Sequence, residues 1–295
     1  MKPSVVTGAS LGFASLYASL QRDHDINQRD TRMLSTKPVK ALSHHLVSIY
    51  SWALNLFFGN KKTVKPRLIS FKLCPFVQRA AIALQYKTVE YDIEYIDLAN
   101  PPEWFLKISP LKKVPLLLVG DHVIFESTVI NEYIDEAYPN KLHPSDLILR
   151  AHNRSWIEFG NGCTWSAFHL SVKEKEEDFN NVLDDLLNKF DQIEKAIGGA
   201  PFFNGSKFSL VDSSYAPLFQ RLEYLNELRP GILDKKRHPR INAWKESLLT
   251  LNAVQRSAVP EIKELYHELL WKRQGYISQF LDEEKYGKKS AKRIY

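Results

Sequence analysis

The sequence predicts a small α/β domain followed by an all-helical domain, preceded by an extension that belongs to neither. Three observations carry this. Between Pro66 and Pro139, short apolar strand segments alternate with helical ones. After Pro139 the strand signals vanish and only helical periodicity remains. The length of 295 residues also exceeds the usual size of one domain. With 44% hydrophobic and 25% charged residues, the chain has the make-up of an ordinary globular protein, which argues against a disordered or fibrous one. Two cysteines cannot build a multi-bridge framework, so a small secreted knot is excluded. The longest nearly apolar run, Leu46 to Phe58, is broken by Ser48, Ser51 and Asn55. It is shorter than the roughly 18–20 apolar residues a spanning helix needs, and no transmembrane span is expected.

The net charge of +6 is unevenly spread. Residues 1–65 hold nine Lys/Arg against three Asp/Glu, and residues 272–295 hold seven against three, leaving −4 for the body between them. Positive ends on a mildly acidic body argue against a nucleic-acid partner. They suit solubilising tails or a weak attraction to a membrane surface.

Within the extension, Leu46, Ile49, Tyr50, Ala53, Leu54, Phe57 and Phe58 recur at helical steps, and Gly59-Asn60-Lys61-Lys62 supplies a stop. Such a stripe suits packing on its own protein or, beside Lys61, Lys62 and Lys65, a membrane surface. Residues 1–22 contain no acid and several serines but only Lys2 and Arg22 as bases, which leaves organelle import open.

The α/β domain is expected over 66–144. Arg67–Phe71 reads as a strand, and Pro75–Tyr86 as a helix with Val77, Ala80, Ala81 and Leu84 on one face. Val89, Tyr91, Ile93 and Tyr95 alternate with acids in the period of a half-buried strand. A short helix at Glu103–Ile108, strands at Val114–Val119 and His122–Phe125, and a helix opened by Glu126 complete the order βαβαββα. That order describes a thioredoxin-like sheet. The helical domain is expected over 145–271. A long helix capped at Ser145-Asp146 runs toward Leu170, and a second covers Phe179–Ile197. A third opens with the capping-box spacing Ser209–Asp212 and runs to Leu228 with a kink at Pro217. Helices at Ile241–Leu251 and Glu261–Trp271 precede a basic tail, 272–295.

Cys74-Pro75-Phe76-Val77 sits where the first strand hands over to the first helix. Proline suits the first helical turn, so Cys74 stands at the helix N-terminus, where unsatisfied N–H groups and the macrodipole favour a thiolate. Val77 occupies the place of a second cysteine, so redox chemistry there needs an external thiol. A small buried cysteine is the alternative for Cys74, and packing is the better account of Cys163 among Trp156, Phe159, Trp165 and Phe168. At Val114-Pro115, a cis bond would leave the Val114 backbone free to pair with an extended thiol peptide, whereas a trans bond makes it a plain strand-edge proline. Glu126-Ser127, at a helix start after a strand, suits the head group of an α-amino acid or is an ordinary helix beginning. The nine histidines show no ligand spacing with either cysteine, so no metal is expected, and neither a Gly-x-Ser-x-Gly motif nor a phosphate loop is present.

Taken together, Cys74-Pro-Phe, Val114-Pro115 and Glu126-Ser127 resemble the cytosolic glutathione transferases, omega-like members and their bacterial relatives in particular. Leu73-Cys-Pro-Phe-Val-Gln-Arg79, Pro102-Glu-Trp-Phe105, Glu132-Tyr-Ile-Asp-Glu-Ala-Tyr-Pro139 and Phe208-Ser-Leu-Val-Asp212 extend the resemblance over about residues 66–270. It implies a thioredoxin-like domain followed by an all-α domain, glutathione as cosubstrate, a cytoplasmic location and a homodimer. Cys74 would then be the catalytic thiol. Phe76, Val114, Pro115, Glu126 and Ser127 would bind glutathione. Omega-like members often carry a lysine before Pro-Glu-Trp; here that position is Pro101, and Lys113, with Lys107 and Lys112 as alternatives, would take over its contact.

A cysteine, rather than a Tyr or Ser hydroxyl, favours thiol transfer or reduction of a small disulfide, including a dehydroascorbate reductase-like activity, over conjugation to electrophiles. Trp156, Phe159 and Trp165 are the candidates for an acceptor pocket or, equally, for core. Two rival readings stand beside this one: a non-catalytic interaction module and a membrane-associating form.

Overall fold

The computed structural model describes residues 64–199 and 201–291, so the expectations for the leader and the 46–58 stripe lie outside the described residues. From Val64 onward the chain forms one compact unit. It begins β1 (Arg67–Ser70), α1 (Pro75–Tyr86), β2 (Asp92–Tyr95), α2 (Glu103–Ile108), β3 (Leu116–Val119), β4 (His122–Phe125), α3 (Ser127–Ala137). The strands lie in the order β2-β1-β3-β4, with β1 parallel to β2 and the other two pairs antiparallel. This is the thioredoxin-like arrangement that the element order predicts.

The pleat divides the sheet's side chains between two cores. Leu68 and its cross-strand partner Leu117 join the main core beneath α1 and α3. Ile69 and its partner Leu116 face the opposite side, where Phe105 of α2 and Ile96 cover them. Two strands start later than their periodicity suggests. β2 starts only at Asp92 because Arg67, the first residue of β1, pairs there. β3 starts at Leu116, opposite Ile69, after Pro115, which has no N–H to give. The helix expected to open at Glu126 begins one residue later, with Glu126 as its N-cap.

The remaining elements are helical: α4 (Leu147–Leu170), α5 (Glu176–Ala196), α6 (Leu210–Leu228), α7 (Pro239–Leu249), α8 (Asn252–Gln255), α9 (Ile262–Arg273), a 3-10 helix (Tyr276–Phe280) and α10 (Glu283–Ala291). Asp146 caps α4 by accepting from the Leu149 N–H at 2.8 Å. Helix α6 is the centre of this half and packs against α1, α4 and α7. The segment expected as a basic tail is folded through Ala291, since Ile277, Leu281 and Tyr286 are buried and the Tyr276 N–H donates to the Lys173 carbonyl.

Asp212 holds the start of α6. Its buried carboxylate accepts from the Ser209 N–H and Oγ–H, both at 2.7 Å, from the Phe203 N–H at 2.8 Å and from Trp244 Nε1 at 2.7 Å. The box therefore works with aspartate in the place where glutamate or glutamine is usual, and one carboxylate ties α6 to α7 and to the loop before it. Removing it strands four buried donors. Asp212→Ala is expected to lower the unfolding free energy by about 3 kcal/mol or more, read as a shifted urea midpoint at unchanged slope. A loss below about 1 kcal/mol would mean that the donors find other acceptors.

Candidate active site

Cys74 is the N-cap of α1, in extended backbone, with Pro75 as the first helical residue. Its carbonyl accepts the first helical hydrogen bond from the Gln78 N–H at 3.1 Å, and its own N–H donates to the Phe71 carbonyl at 3.0 Å. The first turn of α1 is locked to the helical half through polar bonds. Gln78 Nε2 donates to Gln220 and Ser257, each at 3.0 Å, and Gln78 Oε1 accepts from Arg221. Arg221 also reaches back to the Leu73 carbonyl at 3.3 Å. Arg79 is buried, donates to Asn161 at 2.7 Å and lies 5.0 Å over the Phe76 ring.

Opposing influences act on the sulfur. Burial pushes the Cys74 thiol up from its ordinary value. The N–H groups of Val77 and Phe76 and the charges of Arg221 and Arg79 act in the other direction. Although Cys74 is only half-buried, the balance moves its thiol up, against the expectation that the helix terminus favours its thiolate. Burial also acts on Arg79, bringing it down to about 10, while the charges of Cys74 and Glu158 favour its cation. Cys163 is fully buried, and burial pushes its thiol up to about 12.

Two cavities share Phe76 and Trp165 as lining residues, and Cys74 lines one of them. The first, about 470 Å³, is lined by Lys113, Val114 and Pro115 on one side and by Glu126 and Ser127 on the other. The Val114–Pro115 peptide is cis. Glu126 has a positive φ of 67°, a conformation that costs a non-glycine residue energy and turns the chain from β4 into α3. Neither its exposed carboxylate nor the exposed Lys113 ammonium has an ion-pair partner among the described residues. Lys107 pairs with Glu103, so of the three lysines only Lys113 lines this cavity. Pro101 does not line it.

The second cavity, about 330 Å³, is chiefly apolar and includes Cys74 itself. Phe76 and Trp165 line both spaces and form the wall between them. Of the three aromatics expected around an acceptor, only Trp165 is there. Trp156 and Phe159 line neither cavity and pack instead on the core, with Trp156 against Phe159 and Phe203 and its carbonyl accepting from Tyr215. Helical spacing puts Trp156 and Trp165 on different faces of α4, and no signal within the helix says which face borders the cavity. Arg79, Arg221 and Arg273 escape sequence reading because their partners lie far away in the chain. Among the described residues, no cluster of His, Cys, Asp and Glu could hold a metal, and no helix is long and apolar enough to cross a membrane.

Comparison with known proteins is decisive. Residues 68–142 match the N-terminal domain of glutathione S-transferases and residues 174–246 match their C-terminal domain. The chain belongs to the glutathione S-transferase family. It is 33% identical over 186 residues to glutathione S-transferase omega-1 of Rattus norvegicus, spanning 62% of this chain and 76% of the rat protein. It is 35% identical over 144 residues to glutathione S-transferase DHAR3, chloroplastic, of Arabidopsis thaliana, spanning 49% of this chain and 53% of that one. The crystal structure of glutathione transferase Omega 3C from Trametes versicolor superposes with a TM-score of 0.60 at 25% identity, covering 65% of this chain and 88% of that one. The two matched domains omit α4 and everything after residue 246, so Trp165 and Arg273, both in the wall of the second cavity, lie outside them.

In this glutathione S-transferase the two cysteines differ in access as well as in acidity. Iodoacetamide is expected to label Cys74 and spare Cys163 in the folded chain. The labelling rate should climb with pH through a midpoint above the value of about 8.5 for an unperturbed thiol. A midpoint below that value would show that the arginines and the helix terminus prevail over burial.

Proposed function

We propose that this chain is a glutathione-dependent thiol transferase or reductase in which Cys74 forms a mixed disulfide with glutathione. The observation that carries the reading is a cysteine at the N-cap of α1, lining the apolar cavity and separated from the polar one by Phe76 and Trp165. The similarity to omega and DHAR relatives supports it.

The first cavity has the groups that glutathione needs. The Glu126 carboxylate takes the γ-glutamyl ammonium. The Ser127 hydroxyl and the N-terminus of α3 take its carboxylate. The Val114 backbone pairs with the cysteinyl unit beside Pro115, Phe76 supports that unit, and Lys113 takes the glycyl carboxylate. With glutathione laid this way, its sulfur reaches the wall that faces Cys74 in the second cavity.

Chemically, the Cys74 thiolate attacks the glutathionyl sulfur of a mixed disulfide. The Cys74–glutathione S–S bond forms as the substrate's S–S bond breaks, and the other half leaves as a thiolate that takes a proton from water. A second glutathione thiolate then attacks the glutathionyl sulfur, releasing glutathione disulfide and returning Cys74. The second glutathione is needed because Val77 stands where a resolving cysteine would be, and Cys163 lines neither cavity. Because burial holds the thiol high, the thiolate fraction and the rate rise together with pH above neutrality.

The test is turnover of the mixed disulfide of glutathione and 2-mercaptoethanol by the wild type and by Cys74→Ser, beside conjugation of an aryl halide. Disulfide turnover is expected to fall by at least about a hundred-fold in the variant, with kcat/KM of the wild type rising between pH 7 and 9. Conjugation that survives the substitution, with weak disulfide turnover, would make the chain a conjugating transferase. Glutathione binding without turnover in either assay would make it an interaction module.

A further inference from the structure

The second cavity carries charge of one sign. Arg221 and Arg273 lie in its wall among Phe71, Trp165, Phe168 and Leu218, and no aspartate or glutamate lines it. Arg221 is 5% exposed, and its terminal nitrogens are taken by side-chain amides and carbonyl oxygens. Its Nε–H is buried without any partner. Arg273, the half-buried last residue of α9, lies with its guanidinium 4.7 Å over the Phe168 ring and gives one hydrogen bond, to Ser171 Oγ at 3.0 Å. A guanidinium has five N–H donors, so most of those on Arg273 are unused by the protein. Neither arginine pairs with a carboxylate among the described residues. Each is ringed by neutral groups: amides and carbonyls around Arg221, and Ser171, Phe168 and Tyr266 around Arg273. Burial holds the Tyr266 hydroxyl neutral by moving its pKa up to about 12.

An apolar cavity with two cations and no anion is complementary to one kind of molecule. Uncompensated charge in an apolar setting is costly, and a ligand that brings a carboxylate relieves that cost while its hydrophobic body fills the space. Carboxylate matches the flat guanidinium fork, whereas a phosphate dianion would have to shed more water to enter.

We propose that the acceptor of this chain is a mixed disulfide of glutathione whose other half is an aromatic or branched aliphatic carboxylate, with Arg273 as its counter-ion. The ring or branched body packs against the Trp165–Phe168 pair, whose rings touch edge to face, the carboxylate meets Arg273 at the end of α9, and the scissile sulfur lies toward Cys74. Arg221 adds a second positive charge to the same wall. The proposal rests on the thiol-transfer reading for the bond that is broken, while the preference for an anion belongs to the cavity alone.

The test therefore has a binding arm and a turnover arm, both on the full chain. In the first, Cys74→Ser is titrated calorimetrically with 4-butylbenzoate and with its neutral analogue 4-butylbenzamide. The acid is expected to bind about ten-fold more tightly, as one charge-assisted contact in an apolar site provides. Adding Arg273→Gln should bring the two affinities to within about two-fold, and Arg273→Lys, which keeps the charge but not the planar fork stacked on Phe168, should restore only part of the difference. In the second arm, the wild type is given the glutathione mixed disulfides of 4-mercaptobenzoate and 4-mercaptobenzamide. The acid should be preferred by a similar factor in kcat/KM, carried by KM.

Equal affinity for acid and amide, or a preference that survives Arg273→Gln, overturns the proposal. Turnover of both disulfides without a preference also overturns it while leaving thiol transfer intact. No turnover of any disulfide, with an acid preference that depends on Arg273, refutes thiol transfer and upholds the anion site.

Discussion

The packing of α1 between the sheet and α6 is the constraint on which the site depends. Eight consecutive residues, Val77 to Leu84, are buried, so the helix has no free face along which to turn or slide. Six of the eight are apolar and join the core. The other two, Gln78 and Arg79, lie near the start of the helix, where polar contacts add to the packing in setting its rotation. Their directional bonds to Gln220, Ser257 and Asn161 supply those contacts. Since Cys74 is the N-cap of this helix, its sulfur is placed by the same bonds. Asp212 does the equivalent work for α6, the helix against which α1 is fixed.

This hierarchy explains what could be read from the sequence. Features decided by neighbours in the chain were legible: the order of strands and helices, the cysteine at a helix start ahead of proline, the boxed aspartate of α6, and the motif set that marks the family. Features decided by distant neighbours were not. The positive φ of Glu126 follows from the way β4 must turn into α3, and glutamate carries no signal of it. Trp156 and Trp165 look alike in sequence, and only the position of α6 and the loop at Phe203 makes one of them core. Arg273 fell in a segment read as a tail, because the apolar residues that fold it, Ile277, Leu281 and Tyr286, are too sparse to show a period. The effect of burial that opposes the helix terminus at Cys74 is hidden from the sequence for a related reason. A helix terminus can be read from a sequence, but the depth at which the terminus lies cannot.

Depth also sets the problem that the arginines solve. Under the proposed thiol transfer Cys74 needs negative charge on its sulfur, and burial opposes that charge. Arg221 and Arg79 act against burial, and among the described residues neither forms an ion pair with a carboxylate, although the charge of Glu158 also acts on Arg79. An anionic acceptor entering the same cavity would undo this if its charge settled on Arg221, because a second negative charge near the sulfur disfavours the thiolate. The charges that act most on Cys74 are those of Arg221 and Arg79. On the proposed reading, the two cations that most favour the Cys74 thiolate stand on α1 and α6, and the one that meets the carboxylate stands at the end of α9.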